Sequence, residues 1–322
     1  MQTRAAAAAE SQPSVPPGLP LFTVAELDAQ HGDPEKLINL FVSLHLLQPV
    51  NRPCSVCAAQ GKSGHMRLQH KQNHADGLNL RRTTCKYEES HRRNSTFESL
   101  RISTLETGRL LCYFWADLTV TQACELSSVS INTVSDLYDK IRDQMAEYID
   151  ANPVKFDDDD IVEIDEIYLK PLRPNGDETD EKAVWKPIIG CIGRKSGCVA
   201  LDICDSHQTR DIQENIKSHF RSGDTPVITD QHKSFRFLDR TFLHSWCKKV
   251  HIGTNVYPKH ARSETRYGRT YQVHTNTIEG YWSKLRLKLH ASHGWEAGCL
   301  PKILNECQFR SLGISLTTVL RV

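Results

Sequence analysis

The chain lacks the long apolar run that a membrane-spanning helix needs, so we do not expect an integral membrane protein. Its first twenty residues also lack the apolar stretch of a secretory signal peptide. Without such a signal, the eleven cysteines predict reduced thiols or metal ligands instead of a disulfide framework. With 39% hydrophobic and 25% charged residues among 322, the chain has enough apolar side chains for packed cores in two or three domains.

A net charge of +1 conceals an uneven distribution of charge along the chain. Residues 151–230 carry 10 basic and 17 acidic side chains, whereas residues 231–322 carry 15 basic and 5 acidic ones. An enzyme that holds cations beside a bound polyanion needs this combination of an acidic block and a basic block. Charge clusters are also common on solvated surfaces, so charge alone does not decide between the two interpretations.

Composition divides the chain into four regions. Residues 1–20 are rich in Ala, Ser and Pro and are predicted to be disordered. Residues 21–98 combine a helix that begins at Asp33-Pro34 with a polar, zinc-ribbon-like stretch that needs a metal for stability. Apolar spacing predicts helices over 99–152, and residues 153–322 combine β-branched runs with helices. The last region therefore predicts an α/β fold with a mixed sheet covered by helices.

Three segments of the last region determine the predicted topology. The run from Trp246 to Ile252 is predicted to be the fifth strand of the sheet. Residues 253–272 are polar without a strong period and are predicted to be a loop. A final helix is predicted from Thr277 to Leu289, with Trp282 on its apolar face.

Three carboxylates stand at notable positions in this region. Asp165 lies inside an apolar strand, where a lone carboxylate is costly unless it is paired, hydrogen-bonded or bound to a cation. Asp230 ends another apolar strand, and Glu279 lies in the last helix. Together they predict a site for one or two Mg²⁺ ions that act on a phosphodiester. Taken singly, they also fit a salt bridge, an N-cap and a first-turn acid, and Glu163 and Glu166 fit surface positions.

The segments IVEIDEIYL, VITD and VHTNTIEGYWSKLRLKL resemble the DDE transposases of the Merlin type and their bacterial insertion-sequence relatives. Asp165 and Asp230 match the two aspartates of that pattern, and Glu279 matches its glutamate. The resemblance implies an RNase H-like catalytic domain with two Mg²⁺ (or Mn²⁺) ions. It also implies cleavage of double-stranded DNA at the terminal inverted repeats and strand transfer into target DNA. Because two ends must be joined, it implies at least a homodimer on DNA.

The resemblance extends to residues around Glu279. It implies that Lys284, Arg286 and Lys288 contact the DNA backbone, although Arg286 stands where the family commonly has lysine. A solvated helix face is the alternative for these three. His274 and Asn276 are predicted either to contact the ions or the scissile phosphate, or to make loop and cap hydrogen bonds. Asn276 is also the reserve candidate for the third ligand.

A second candidate metal site lies in residues 51–95. Cys54-x-x-Cys57 is half of a zinc site, but the expected second Cys-x-x-Cys is incomplete, with Glu88 three residues after Cys85. His91 follows within reach. We therefore predict a structural Zn²⁺ held by Cys54, Cys57, Cys85 and His91, with a degenerate ribbon that has lost its metal as the alternative.

Residues 120–145 resemble a helix-turn-helix. Ala123 is predicted to pack where the two helices cross, and Ser130 to begin the second helix. Ser130, Asn132, Thr133 and Ser135 are then predicted to face a DNA major groove. An ordinary helical bundle produces the same pattern.

The leading hypothesis is therefore a DNA transposase. The alternatives are a domesticated, sequence-specific DNA-binding protein without catalysis, and a cellular two-metal endonuclease. The expected location is the nucleus if the source is eukaryotic, and otherwise the cytoplasm in association with DNA.

Overall fold

The computed structural model describes residues 21–169, 186–204, 209–247, 249–252, 255–258, 262–266, 268–291 and 299–320. The predicted disorder of residues 1–20 lies outside this part of the chain. Its α-helices are α1 Val24–Asp28, α2 Pro34–Ser43, α3 Ser55–Ala59, α4 Thr104–Trp115, α5 Val120–Ser127, α6 Ile131–Ala151, α7 Thr209–Ser218, α8 Asn276–Ala291 and α9 Leu300–Ser311. None of these described helices is long and apolar enough to cross a membrane.

The strands belong to a small sheet, a central sheet and two hairpins. They are β1 Arg67–His70, β2 Leu78–Arg81, β3 Glu88–Glu89, β4 Val162–Leu169, β5 Lys186–Gly193, β6 Val199–Ile203, β7 Pro226–Asp230, β8 Leu243–Cys247, β9 Lys249–Ile252, β10 Asn255–Pro258, β11 Arg262–Arg266 and β12 Arg269–Val273. Two 3-10 helices cover Lys233–Arg240 and Leu316–Thr318.

Side-chain caps start the helices of the N-terminal half. Asp33 accepts the backbone N–H of Lys36 in front of Pro34, which confirms the predicted start of α2. Ser130 caps α6 in the same way. The apolar faces of α1, α2, α4, α5 and α6 share one core, and the late residues Phe309 and Leu316 also belong to it. The helical region is therefore completed by residues from the far end of the chain.

The central sheet has five strands in the order β6-β5-β4-β7-β8. Strand β5 is antiparallel to β4 and β6, whereas β4, β7 and β8 are parallel to one another. Ile164 on β4 packs in the core that includes α7, and Ile167 packs in the core formed with α8 and α9. Helices thus flank both faces of a mixed sheet, which confirms the predicted mixed α/β architecture.

The fifth strand and the following segment differ from the prediction. The strand that pairs with β7 is Leu243–Cys247, not the predicted Trp246 to Ile252. Strand β9 instead pairs with β10, and β11 pairs with β12, so the described residues of 253–272 form antiparallel strands instead of a loop. These polar strands pair with each other, and the pairing satisfies their backbone hydrogen-bonding groups without an alternating apolar pattern. Because that pattern is the signal that predicts a strand, the sequence indicated a loop here.

A buried ion cluster joins the helical region to the central sheet domain. The Glu306 side chain of α9 is 1% exposed and accepts from Arg142 of α6 at 2.9 Å, Lys288 of α8 at 2.8 Å and Arg310 at 2.7 Å. Burial alone would raise the pKa of Glu306, but the charges of Lys288, Arg310 and Arg142 hold it well below its usual range. This carboxylate therefore stays ionised and ties three helices together.

We expect Glu306→Ala to lower the free energy of unfolding by about 3–5 kcal/mol, because it leaves buried cations without their partner. In the wild type, the depressed folded-state pKa means that this contribution is present above about pH 4.3 and is lost as the pH falls further. Urea unfolding measures both effects. Lys302→Ala, which removes an exposed ion pair with Asp143, is the matched control and should cost at most about 1 kcal/mol. Equal losses in the two variants would contradict the assignment.

Candidate active site and metal centre

Strand β4 carries two carboxylates on one face of the central sheet. Glu163 is fully buried and Asp165 is 6% exposed. Because side chains alternate along a strand, these two residues point to the same side, towards α8. The interpretation of Glu163 as a surface residue is therefore wrong. Sequence reasoning missed its role, although its spacing of two residues from Asp165 was the available signal.

Glu163 anchors the N-terminus of α8. Its carboxylate accepts the backbone N–H groups of Thr277 at 2.8 Å and Ile278 at 3.0 Å, and the Thr277 hydroxyl at 2.7 Å. The first N–H groups of a helix have no partner within the helix, and the helix dipole favours an anion at this end. The contact compensates the buried charge and fixes the start of α8 against β4.

Arg194, in the turn after β5, also binds the Glu163 carboxylate. We call Glu163 and Arg194, together with the N-terminus of α8 that they hold, the clamp. Its Nε donates to Glu163 Oε1 at 2.6 Å, and its terminal nitrogens donate to the carbonyls of Gln272 at 2.6 Å and His274 at 2.8 Å. One guanidinium, with donors in a fixed fork, therefore holds the end of β12, the following loop and the β4 carboxylate together.

Asp165 is oriented by Trp282, one turn beyond Ile278 on α8. The indole Nε1 donates to Asp165 Oδ2 at 3.3 Å. The Trp282 ring lies over Gly190, the residue that pairs with Asp165 across β5, and a Cβ at position 190 would overlap that ring. Trp282 is 3% exposed, which confirms its prediction as a core residue.

Asp165 and Asp230 lie on neighbouring parallel strands of the sheet. Each follows the last paired residue of its strand, Glu163 on β4 and Ile228 on β7, by two positions. The Asp230 Oδ1 accepts the backbone N–H of His232 at 2.9 Å. Asp230 is the last residue of β7, at an edge where open α/β sheets bind ligands, whereas Asp165 lies in the middle of β4.

Glu279 lies in the first turn of α8 and follows directly on the clamped residues. Its Oε1 accepts the Thr275 hydroxyl at 2.9 Å, so its placement depends on the same helix start. Among the described residues, the three carboxylates do not form a group whose ligand atoms all lie within 4.8 Å of one another. Strand register and the Glu163 clamp set their relative positions.

His274 and Asn276 occupy the loop that enters α8. His274 Nδ1 lies 3.0 Å from Arg194 and 3.3 Å from Glu163, and it is 3.3 Å from the backbone N–H of Asn276. Burial and the charge of Arg194 lower the pKa of His274. The sequence left two roles open for these residues, and the contacts of His274 are the loop and cap hydrogen bonds of one of them. Asn276 is exposed as the first residue of the helix.

The basic residues of α8 do not form one uniform surface. Lys284 and Arg286 are exposed. Lys288 instead points inward, with its side chain 16% exposed, and pairs with Glu306 and Asp117. We therefore correct the grouping of Lys288 with the DNA-contacting residues, because the buried carboxylate holds its ammonium group inside the protein.

The cysteine cluster forms beside the small sheet of β1, β2 and β3. The sulfurs of Cys54, Cys57 and Cys85 lie within 4.8 Å of one another, and those of Cys54 and Cys85 are 3.6 Å apart. With Zn–S bonds of about 2.3 Å, two sulfurs of a tetrahedral zinc site lie about 3.8 Å apart. A hydrogen bond from the Tyr87 backbone lowers the pKa of Cys85. This geometry is compatible with zinc held by three thiolates.

The structure does not bring His91 to these cysteines. His91 is 1% exposed and its Nε2 lies 3.1 Å from Asp76 Oδ2, which also accepts from Arg92 at 2.7 Å. Burial alone would raise the pKa of Asp76, but the His91 hydrogen bond and the Arg92 charge hold it well below its usual range. Asp76 Oδ1 accepts the backbone N–H of Thr104, the first residue of α4. His91 therefore belongs to the contact between the small sheet and the helical region.

Helices α5 and α6 occupy the segment that was predicted as a helix-turn-helix, and residues 128–130 separate them. Ala123 is fully buried at their crossing, as predicted, and Ser128 makes the turn with a positive φ of 57°. Ser130 is exposed and its Oγ accepts the Thr133 N–H, so this hydroxyl also serves as the cap. Asn132 is exposed and Thr133 is half-buried at the start of α6.

Comparison of the chain with protein-family models gives no match, and comparison with curated proteins gives no significant match.

For the clamp, we expect Glu163→Ala to lower the free energy of unfolding by about 3–5 kcal/mol, because it leaves Arg194 and the α8 N–H groups without an acceptor. Glu163→Gln keeps an oxygen for those groups and should cost less. Urea unfolding monitored by circular dichroism measures the change. Glu125→Ala, at an exposed position of α5, is the control and should stay within about 0.5 kcal/mol. A Glu163→Ala loss no larger than that of the control would rule out the clamp.

For the cysteine cluster, we expect about one equivalent of zinc per purified chain, lost or strongly reduced in Cys57→Ser because one of three thiolate ligands is removed. Metal released after thiol modification is quantified with a colorimetric chelator. Cys299→Ser, at an exposed cysteine outside the cluster, should retain the metal. Equal zinc content in both variants would show that the cluster is not the binding site.

Proposed function

We propose that this protein is a DDE-type DNA transposase of the Merlin kind, which cleaves DNA at transposon ends and transfers the strand into target DNA. The observation that carries the proposal is the placement of three carboxylates on two parallel strands and one clamped helix. Asp165 and Asp230 each follow the last paired residue of β4 and β7 by two positions, and Glu163 attaches the helix of Glu279 to β4. Other folds also carry paired carboxylates. In this chain the order Asp, Asp, Glu lies in the segments IVEIDEIYL, VITD and HTNTIEG, which resemble those of the transposase family.

The sheet topology supports an RNase H-like catalytic domain. Counted from β4, the strands follow the spatial order third, second, first, fourth, fifth, and the second runs antiparallel to the other four. We propose that the active site lies between Asp165 on the first strand, Asp230 at the end of the fourth strand and the N-terminus of α8.

The donor set suits hard divalent cations, because all three side chains offer carboxylate oxygens. In a two-metal site the ions lie about 3.5–4 Å apart, so the outer ligands need not all contact one ion. Two Mg²⁺ or Mn²⁺ ions held here would activate the attacking oxygen and stabilise the leaving oxygen of a phosphodiester. Asp165 is the candidate shared ligand of the two ions, and Asp230 and Glu279 would each complete one of them.

The protein's own residues supply orientation and charge. Trp282 holds the Asp165 carboxylate through its indole N–H, and the Glu163–Arg194 clamp holds Glu279. Lys284 and Arg286, both exposed on α8, neutralise backbone phosphates, so binding should weaken as salt increases. The helix-turn-helix of α5 and α6 is proposed to read the terminal repeats in the major groove, and the zinc cluster to stabilise the small sheet.

The test uses DNA that carries the inverted repeats flanking the coding region, with Mg²⁺ or Mn²⁺. We expect wild-type protein to cleave at the repeat tips and Asp230→Asn to show no cleavage above background, because a metal ligand loses its charge. Asp224→Asn changes an exposed aspartate just before β7 and should keep activity, so it is the matched control. Folding of each variant is checked by its unfolding midpoint.

Each other result has a defined meaning. Repeat-specific binding without cleavage by the wild type would favour a domesticated DNA-binding protein. Cleavage that ignores the repeats but requires Asp230 would indicate a general two-metal endonuclease. Cleavage that survives Asp230→Asn would refute the carboxylate site.

A further inference from the structure

A cavity of about 390 Å³ opens beside Asp230, on the side of the sheet away from α8. Its walls come from the end of β7, the following 3-10 helix and strand β8, with Lys233, Arg236 and Trp246 among the lining residues. Cavities of 300–1,000 Å³ are the usual size for small-molecule sites. Lys233, Arg236 and Trp246 have no role in the clamp or among the three proposed metal ligands.

The aromatic residues at this edge are unusually exposed. Among the described residues, the large exposed apolar side chains include two aromatic ones, Trp246 at 41% and Tyr168 at 38%. They lie on β8 and β4, the two strands that flank β7 and therefore flank Asp230. Trp246 pairs with Thr229, one residue before Asp230. An exposed indole beside a carboxylate site presents a flat surface for stacking a planar group.

The charges around the indole indicate the rest of the ligand. Lys233 and Arg236 are both exposed and line the same cavity. Two carboxylates also line it: Asp239, whose Oδ1 lies 2.7 Å from His244 Nδ1, and Asp230, which receives the His232 N–H. A ligand that suits this wall has a planar face for the indole and an anionic group for the two cations.

We propose that this cavity binds one unpaired nucleotide of a DNA strand, with its base stacked on Trp246 and its phosphate contacted by Lys233 and Arg236. Bases within a duplex are covered on both faces, so a stacked base must come from an unpaired or extruded nucleotide. Asp230 lines this cavity and is also one of the three proposed metal ligands, so the nucleotide would lie beside the proposed active site. The choice of DNA as the ligand rests on the proposed transposase function. The cavity and its lining side chains are observed independently of that function.

The experiment measures binding without cleavage. A five-nucleotide single-stranded DNA containing 2-aminopurine is titrated with the full-length protein in Mg²⁺-free buffer. Stacking on an indole quenches 2-aminopurine, and anisotropy of a labelled copy gives Kd. We expect quenching with wild type, and for Trp246→Ala loss of quenching with a Kd raised about 5- to 150-fold, as for the loss of one base–aromatic stack.

Further variants separate stacking from general damage. Trp246→Phe keeps an aromatic face and should retain part of the quenching and affinity. Arg236→Ala should weaken binding and reduce the salt dependence by about one phosphate contact. Leu287→Ala, which removes an exposed apolar side chain on α8, should change neither quantity. Equal quenching and Kd in wild type and Trp246→Ala would overturn the proposal.

Two comparisons complete the test. Thymidine monophosphate that competes as well as the oligonucleotide would identify a free-nucleotide site and overturn the DNA assignment. Glu279→Gln, which changes a proposed metal ligand on α8 outside the described lining of the cavity, should keep oligonucleotide binding while it loses cleavage. If oligonucleotide binding requires Trp246 but cleavage survives Asp230→Asn, the nucleotide site stands and the transposase proposal fails. If Asp230→Asn abolishes cleavage but binding ignores Trp246, only the nucleotide site fails.

Discussion

The buried Glu163 carboxylate at the N-terminus of α8 is the interaction on which the candidate site depends. An ionised group without solvent exposure is tolerated only when donors surround it, and here the donors are two helix N–H groups, a hydroxyl and one guanidinium. Strand β4 therefore determines two positions at once. It carries Asp165 directly, and it holds the helix that carries Glu279. Any change in the clamp moves one carboxylate relative to the other.

Charged side chains also hold the two ends of α4 through its terminal backbone groups. Asp76 accepts the N–H of its first residue, Thr104, and Arg310 donates to the carbonyls of Phe114 at 2.7 Å and Trp115 at 3.0 Å. An anion thus meets the positive end of the helix and a cation meets its negative end, as the helix dipole favours. Arg310 also pairs with Glu306, so the orientation of the helical region is coupled to the packing of α8 and α9.

Local signals in the sequence predicted much of this architecture. Caps and apolar spacing located the helices, and β-branched runs located β4 to β7, because both signals arise within a few residues. The placement of Asp165 inside one strand and of Asp230 at the end of another followed from those runs. Local signals could not predict ion pairs between residues that are distant in sequence. Lys288 and Glu163 resembled surface charges, because their partners Glu306 and Arg194 approach only in the folded chain.

The entry of Phe309 and Leu316 into the N-terminal helical core has a consequence for how the protein is made. Arg142 and its partner Glu306 are 164 positions apart, so at about 5–20 residues per second the ribosome needs roughly 8–33 s to supply the second after the first. During that interval the helices around Phe114 and Tyr138 lack part of their apolar covering and depend on chaperones or on transient packing. The helical region and the sheet therefore mature together, and a chain truncated before α9 would have neither in finished form.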